Sequence, residues 1–121
     1  MAKEKIKTTE DLEALLTGFT GTENWYKHWL GFKYTDGVKY MADVSGSYWL
    51  LDVVGSYQPQ LSRAEFQIWR MQSKDGKGKV DVREDSDLAS LVSQDIEFTD
   101  FPEGTFEMYF TDRTLLLKGE Y

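Results

Sequence analysis

Phe66-Gln67-Ile68-Trp69-Arg70-Met71 is the stretch on which the fold turns. Phe66, Ile68 and Arg70 alternate with Gln67, Trp69 and Met71, and a period of two places successive side chains on opposite faces of a strand. Downstream the same pattern continues. Residues 73–79 (SKDGKGK) read as a loop into Val80-Asp81-Val82, and a further strand is expected over residues 91–98. Phe106, Met108 and Phe110 share a face in the next strand, and Thr111-Asp112-Arg113 turns back into Leu115-Leu116-Leu117. Consecutive strands joined by short turns predict an antiparallel meander of about five to seven strands.

Upstream the period changes. Leu50, Val53, Val54 and Tyr57 form one apolar stripe with Trp49 beside it, which predicts a helix. Ser45 or Ser47 is placed to cap its start, and Gln58-Pro59 to close it, because a residue before proline avoids the α region. A first helix is predicted from Thr8, with Asp11 three residues on, Leu12, Leu15, Leu16 and Phe19 on one face, and Gly18 as its stop. Residues 19–29 (FTGTENWYKHW) have neither period and read as an irregular aromatic arm. Thr35-Asp36-Gly37, flanked by residues 31–34 and 38–41, carries the Asp-Gly signal of a hairpin turn. The fold class expected is therefore α+β, with two helices on one face of the sheet, in a single domain over residues 1–121.

Composition narrows what such a domain does. Of 121 residues 40% are apolar and 4 are Trp, 7 Tyr and 7 Phe, enough for a core. There is no cysteine, so disulfides, thiolate zinc sites and cysteine nucleophiles are excluded. The longest apolar run, Tyr48-Trp49-Leu50-Leu51, falls far short of a membrane span, and the charged start is unlike a secretion signal; the expected location is cytoplasmic. Net charge is −7. Residues 1–80 are nearly balanced, with 11 Lys and Arg against 10 Asp and Glu, whereas residues 81–121 hold 3 against 11. An acidic last third serves solubility or a field aimed at a basic partner, and it disfavours direct contact with nucleic-acid phosphates.

No catalytic constellation emerges. His28 is the only histidine, so a triad or histidine metal site lacks partners of its own kind. The triplets Tyr34-Thr35-Asp36, Phe98-Thr99-Asp100 and Phe110-Thr111-Asp112 could gather carboxylates on a hard cation, but each also suits a strand end where short polar side chains satisfy turn backbone. Asp75-Gly76-Lys77-Gly78-Lys79 lacks the spacing of a phosphate loop and reads as a hairpin loop. Trp25, Tyr26 and Trp29 in the arm are either core or a contact surface, since Tyr and Trp dominate interface hot spots.

The strings FTGTENWYKH at 19–28, YTDGVKYMAD at 34–43, SYWLLDVVGSYQ at 47–58, EFTDFP at 97–102 and the closing Glu120-Tyr121 resemble an uncharacterised family of small bacterial and mobile-element proteins. The likeness covers residues 12–121, departing at 88–93 and at Lys118-Gly119. It implies no activity, cofactor or catalytic residue, and its setting in plasmids and phages implies a role in host takeover or anti-defence.

Three functions follow as expectations. The first is a non-enzymatic, anti-CRISPR-like inhibitor of a nucleic-acid-handling defence complex, imitating phosphates with Asp81, Glu84, Asp85, Asp87, Asp95, Glu97, Glu103 and Glu107. Its partner would be a protein with a basic surface, with no cofactor, membrane or direct nucleic acid involved. The second is an interaction module using Trp25, Tyr26 and Trp29. The third is a small metal-dependent hydrolase built on Asp36, Asp100, Asp112 and His28. The first two require exposure of the residues they name.

Overall fold

The computed structural model describes residues 6–121. Helix α1, Thr9–Leu16, starts where Thr8 accepts a hydrogen bond from the Asp11 amide at 3.1 Å, and it buries Leu12 and Leu16. Strand β1, Trp25–Lys27, lies within the arm expected to be irregular, and β2, Lys33–Thr35, pairs with it antiparallel.

The Asp36-Gly37 hairpin does not form. Helix α2, Asp36–Ser45, begins there, with Thr35 as its N-cap. Gly37 does not use the positive φ that a type I′ turn needs. Instead Thr35 Oγ1 accepts from the Val38 amide at 3.3 Å, and Glu120 Oε2 accepts from the Gly37 amide at 3.1 Å. Val38, Met41 and Ala42, at i, i+3 and i+4, reach the core. A distant carboxylate and the burial of this stripe override the local turn signal.

Helix α3, Tyr48–Ser56, buries Leu50 and Val54 of the expected stripe and also Leu51, whereas Val53 and the C-cap Tyr57 are half-buried. Its N-cap Ser47 makes no side-chain bond to the helix start; the hydroxyl lies 2.5 Å from that of Ser45. Residues Gln58–Leu61 form a 3-10 turn with Pro59 at its start.

Five strands follow: β3 Phe66–Lys74, β4 Lys77–Arg83, β5 Val92–Ile96, β6 Gly104–Thr111 and β7 Thr114–Leu117. The loop expected at 73–79 contracts to a two-residue turn, with Asp75 at φ 54° and Gly76 at φ 78°. The seven strands are ordered β1-β2-β7-β6-β3-β4-β5. This is not a pure meander: β2 and β7 run parallel, so the sheet is mixed and mostly antiparallel. The fold class is α+β, with three helices rather than two.

All three helices pack on one face. Trp69 and Met71 of β3, Val80 and Val82 of β4, Phe106, Met108 and Phe110 of β6, and Leu115 and Leu117 of β7 join the helical Leu, Val and Met residues in one buried cluster. No helix among the described residues is long and apolar enough to cross a membrane.

Candidate binding surface

The eight late carboxylates do not gather on one face. Asp81 is buried, with 2% of its surface exposed. It accepts from Arg70 at 3.1 and 3.2 Å, from Arg83 at 2.6 Å and from the Ser90 hydroxyl at 2.5 Å. Burial pushes its carboxyl up, but hydrogen bonds from Arg70, Ser90 and Arg83 outweigh that and hold it at about 2. Asp81 is thus an internal ion-pair centre and not the contact residue expected. Glu107 accepts from Lys118 at 3.0 Å, and Glu103 accepts from the Asp75 amide at 2.8 Å, closing the β3–β4 turn. Glu84, Asp85 and Asp87 stand exposed in the β4–β5 connection. Asp95 is exposed opposite Lys79 near the end of β5, and Glu97, exposed, follows that strand with the same parity.

The carboxylates offered as metal ligands are apart as well. Asp36 accepts from the Tyr26 hydroxyl at 2.9 Å and from the Glu23 and Asn24 amides at 3.0 and 3.2 Å. Desolvation raises its pKa, and these donors more than reverse it, to about 2. Asp112 takes a positive φ in the β6–β7 turn. Among the described residues no three His, Asp or Glu side chains converge as a metal set.

The aromatic arm divides. Tyr26 is half-buried, stacked on Tyr34 at 5.6 Å with the Lys39 ammonium 5.6 Å from its ring, so it belongs to the α2 side of the sheet. Trp25, its neighbour along the strand, points to the opposite face by pleat alternation and is 56% exposed. Trp29 is 78% exposed, yet it is held in place. Its indole donates to Asp52 at 3.2 Å and its ring stacks on His28 at 5.8 Å. His28 lies against Phe32 at 4.4 Å, accepts from the Leu30 amide at Nδ1 (3.0 Å) and meets Asp52 at Nε2 (2.8 Å). Both ring nitrogens are engaged, so the histidine is a bracket for Trp29.

Sequence reasoning missed the face of the sheet that no helix covers. By register it carries Phe66, Ile68 and Arg70 of β3, Glu107 and Tyr109 of β6, and Leu116 of β7, all half-buried. Tyr121 folds back over it and is 73% exposed. Phe66, Tyr109 and Tyr121 form an aromatic triangle with centroids 4.9, 5.3 and 5.4 Å apart. The alternation at 66–71 contained this signal: an amphipathic strand should not carry Phe66 and Ile68 on the side opposite Trp69 and Met71. A cleft of about 710 Å³ lies between the end of α3 and the β6–β7 turn. Gln58 and Gln67, buried in its lining, each donate to the other at 2.9 Å, so these two amides are paired with one another.

The model of a family of unknown function, DUF6876, matches residues 10–121, and the chain belongs to that family. Neither a curated protein nor a solved structure matches it.

Proposed function

We propose that this DUF6876 domain works by binding a protein partner without catalysis, and that the contact is anchored by Trp29. The observation that carries this reading is an indole 78% exposed and yet fixed by Asp52 and His28. A large amphipathic ring held rigid in solvent loses little entropy when a partner closes over it, and such rings are the usual interface anchors. Trp49 and Val53 of α3, both half-buried, continue the apolar surface beside Asp52.

The test is partner capture by tagged protein from a bacterial host, identification of the captured protein, and calorimetry against Trp29→Ala and Asp52→Ala. Trp29→Ala should weaken binding about 30-fold or more, the size of a hot-spot loss. Its melting temperature should stay within about 2 °C, as for an exposed side chain. Unchanged affinity for both variants would overturn the reading.

A phosphate-imitating inhibitor is the second reading, and it keeps a smaller set of residues. Glu84, Asp85 and Asp87 are exposed within four positions of one loop, without a basic partner among the described residues. Reversal of these three charges should weaken capture and flatten its salt dependence. Trp29→Ala would leave that mode intact.

A further inference from the structure

The open sheet face is electrostatically unlike the rest of the molecule. Lys74, Lys77 and Lys79 share the parity of Arg70 across the β3–β4 register, and Lys27 and Lys33 share that of Trp25 and Thr114 across β1, β2 and β7. None of these five lysines has a carboxylate partner among the described residues. Of the carboxylates on the same face, Asp81 is engaged by Arg70 and Arg83 and Glu107 by Lys118, while Asp95, opposite Lys79, and Glu97, one position past β5 with the same parity, are exposed without an ion pair among the described residues. A chain of net charge −7 therefore turns a cationic side outward from its sheet. The net-charge argument against nucleic acid averages over two faces of opposite sign.

Aromatic rings share this face with the two lysine groups, Trp25 and Tyr121 exposed and Phe66 and Tyr109 half-buried. Trp25 stands on β1, and the triangle of Phe66, Tyr109 and Tyr121 covers β6 and β3. Lys33 and Lys77 stand four strand spacings apart, about 19 Å, and eight register positions apart along the strands, about 26 Å, so they mark opposite corners of the face about 32 Å apart. A diagonal of that length, with cations at both corners and rings grouped toward the Lys33 end, suits several nucleotides of single strand, whose bases are unstacked and free to lie on aromatic side chains. A duplex hides those base faces. An acidic peptide would use the lysines and leave the rings idle.

We propose that this open face binds single-stranded nucleic acid, with bases stacking on Trp25 and Tyr121 and phosphates meeting Lys33, Lys74, Lys77 and Lys79. This site is separate from the Trp29 contact and stands or falls independently of it.

Fluorescence anisotropy of the full chain against labelled 15-nucleotide dT and rU strands tests the proposal, at low salt and at 150 mM. Saturable binding is expected, with log K falling against log salt at a slope of about −3, as for four phosphate contacts on a single strand. Tyr121→Ala should weaken it about tenfold. The pair Lys77→Glu and Lys79→Glu should weaken it further and make the slope shallower by at least about 1. Trp29→Ala should leave it unchanged. Quenching of the wild-type protein's tryptophan fluorescence by the strand supplies a readout that needs no variant. Absence of saturable binding at low salt overturns the proposal. So does poly-glutamate binding as tightly as the strand with Tyr121→Ala neutral, which would make the face a docking site for acidic polypeptides. Equal affinity for duplex overturns it too.

Discussion

At the residue scale, Asp81 shows how little a sequence charge says about a surface charge. Its position on β4 opposite Arg70, two residues from Arg83, turns an apparent contact residue into the hub of a buried network. Arg83 Nε, buried without a partner, marks how far the network departs from full satisfaction. The folded carboxyl sits at about 2, below its ordinary 3.8, so its contribution is complete above about pH 4 and is lost as pH falls toward 2. The shift corresponds to about 2 kcal/mol. Urea unfolding of Asp81→Asn at pH 7 should therefore show a loss of at least about 2 kcal/mol. Its stability should also fall less steeply than wild type between pH 4 and 2, although Asp36 titrates in the same window in both proteins. Equal acid slopes for the two proteins would remove Asp81 from this role. Strand identity was legible around Asp81 from alternation alone; its burial was not, since that required the partner across the register.

At the element scale, α2 is the instructive case. The signal read at 35–37 was local and correct in kind, for Asp-Gly does favour turns, but it competed with contacts that no local reading contains. The Glu120 carboxylate accepts from the Thr35 hydroxyl at 2.6 Å, the Leu117 amide at 3.0 Å and the Gly37 amide at 3.1 Å. An anion at a helix N-terminus satisfies an orphan amide and complements the helix dipole. Replacing Glu120 by Ala should destabilise the protein by about 1–2 kcal/mol in chemical denaturation, a strong cap's worth. Gly37 contributes through its missing side chain. A Cβ there would lie 2.5 Å from Leu117 Cδ1 and 2.6 Å from Glu120 Oε1. Gly37→Ala, which favours helix intrinsically, should nonetheless lower stability by about 1–3 kcal/mol through overpacking. A gain on thermal melting would show that the site gives way. Helices α1 and α3, by contrast, were legible because their apolar stripes and stop signals are contained within themselves.

At the scale of the whole molecule, the parallel β2–β7 pair joins residues 33–34 to 114–115; beside it Glu120 ties the end of β7 to the start of α2, and Tyr121 lies over Phe66 and Tyr109 of β3 and β6. Ending the chain at Leu117 removes the α2 cap and the Tyr121 cover together. Hydrogen exchange should then show β1, β2 and α2 opening together, ahead of β3, β4 and β6, as a unit of lower stability. Uniform protection across the sheet would contradict this. The open face gathers lysines and rings, and two of its carboxylates, Asp81 and Glu107, are drawn into ion pairs. The amino-acid sequence by itself determined the α+β class, two of the helices, most strand positions and the absence of cysteine chemistry, because periodicity and composition act over a few residues. Only the tertiary structure decided which acids face water, where α2 begins and which side of the sheet stays bare. Those depend on register and on contacts between positions as far apart as 35 and 120, and cross-strand partners determine whether a charge becomes a field or an internal pair.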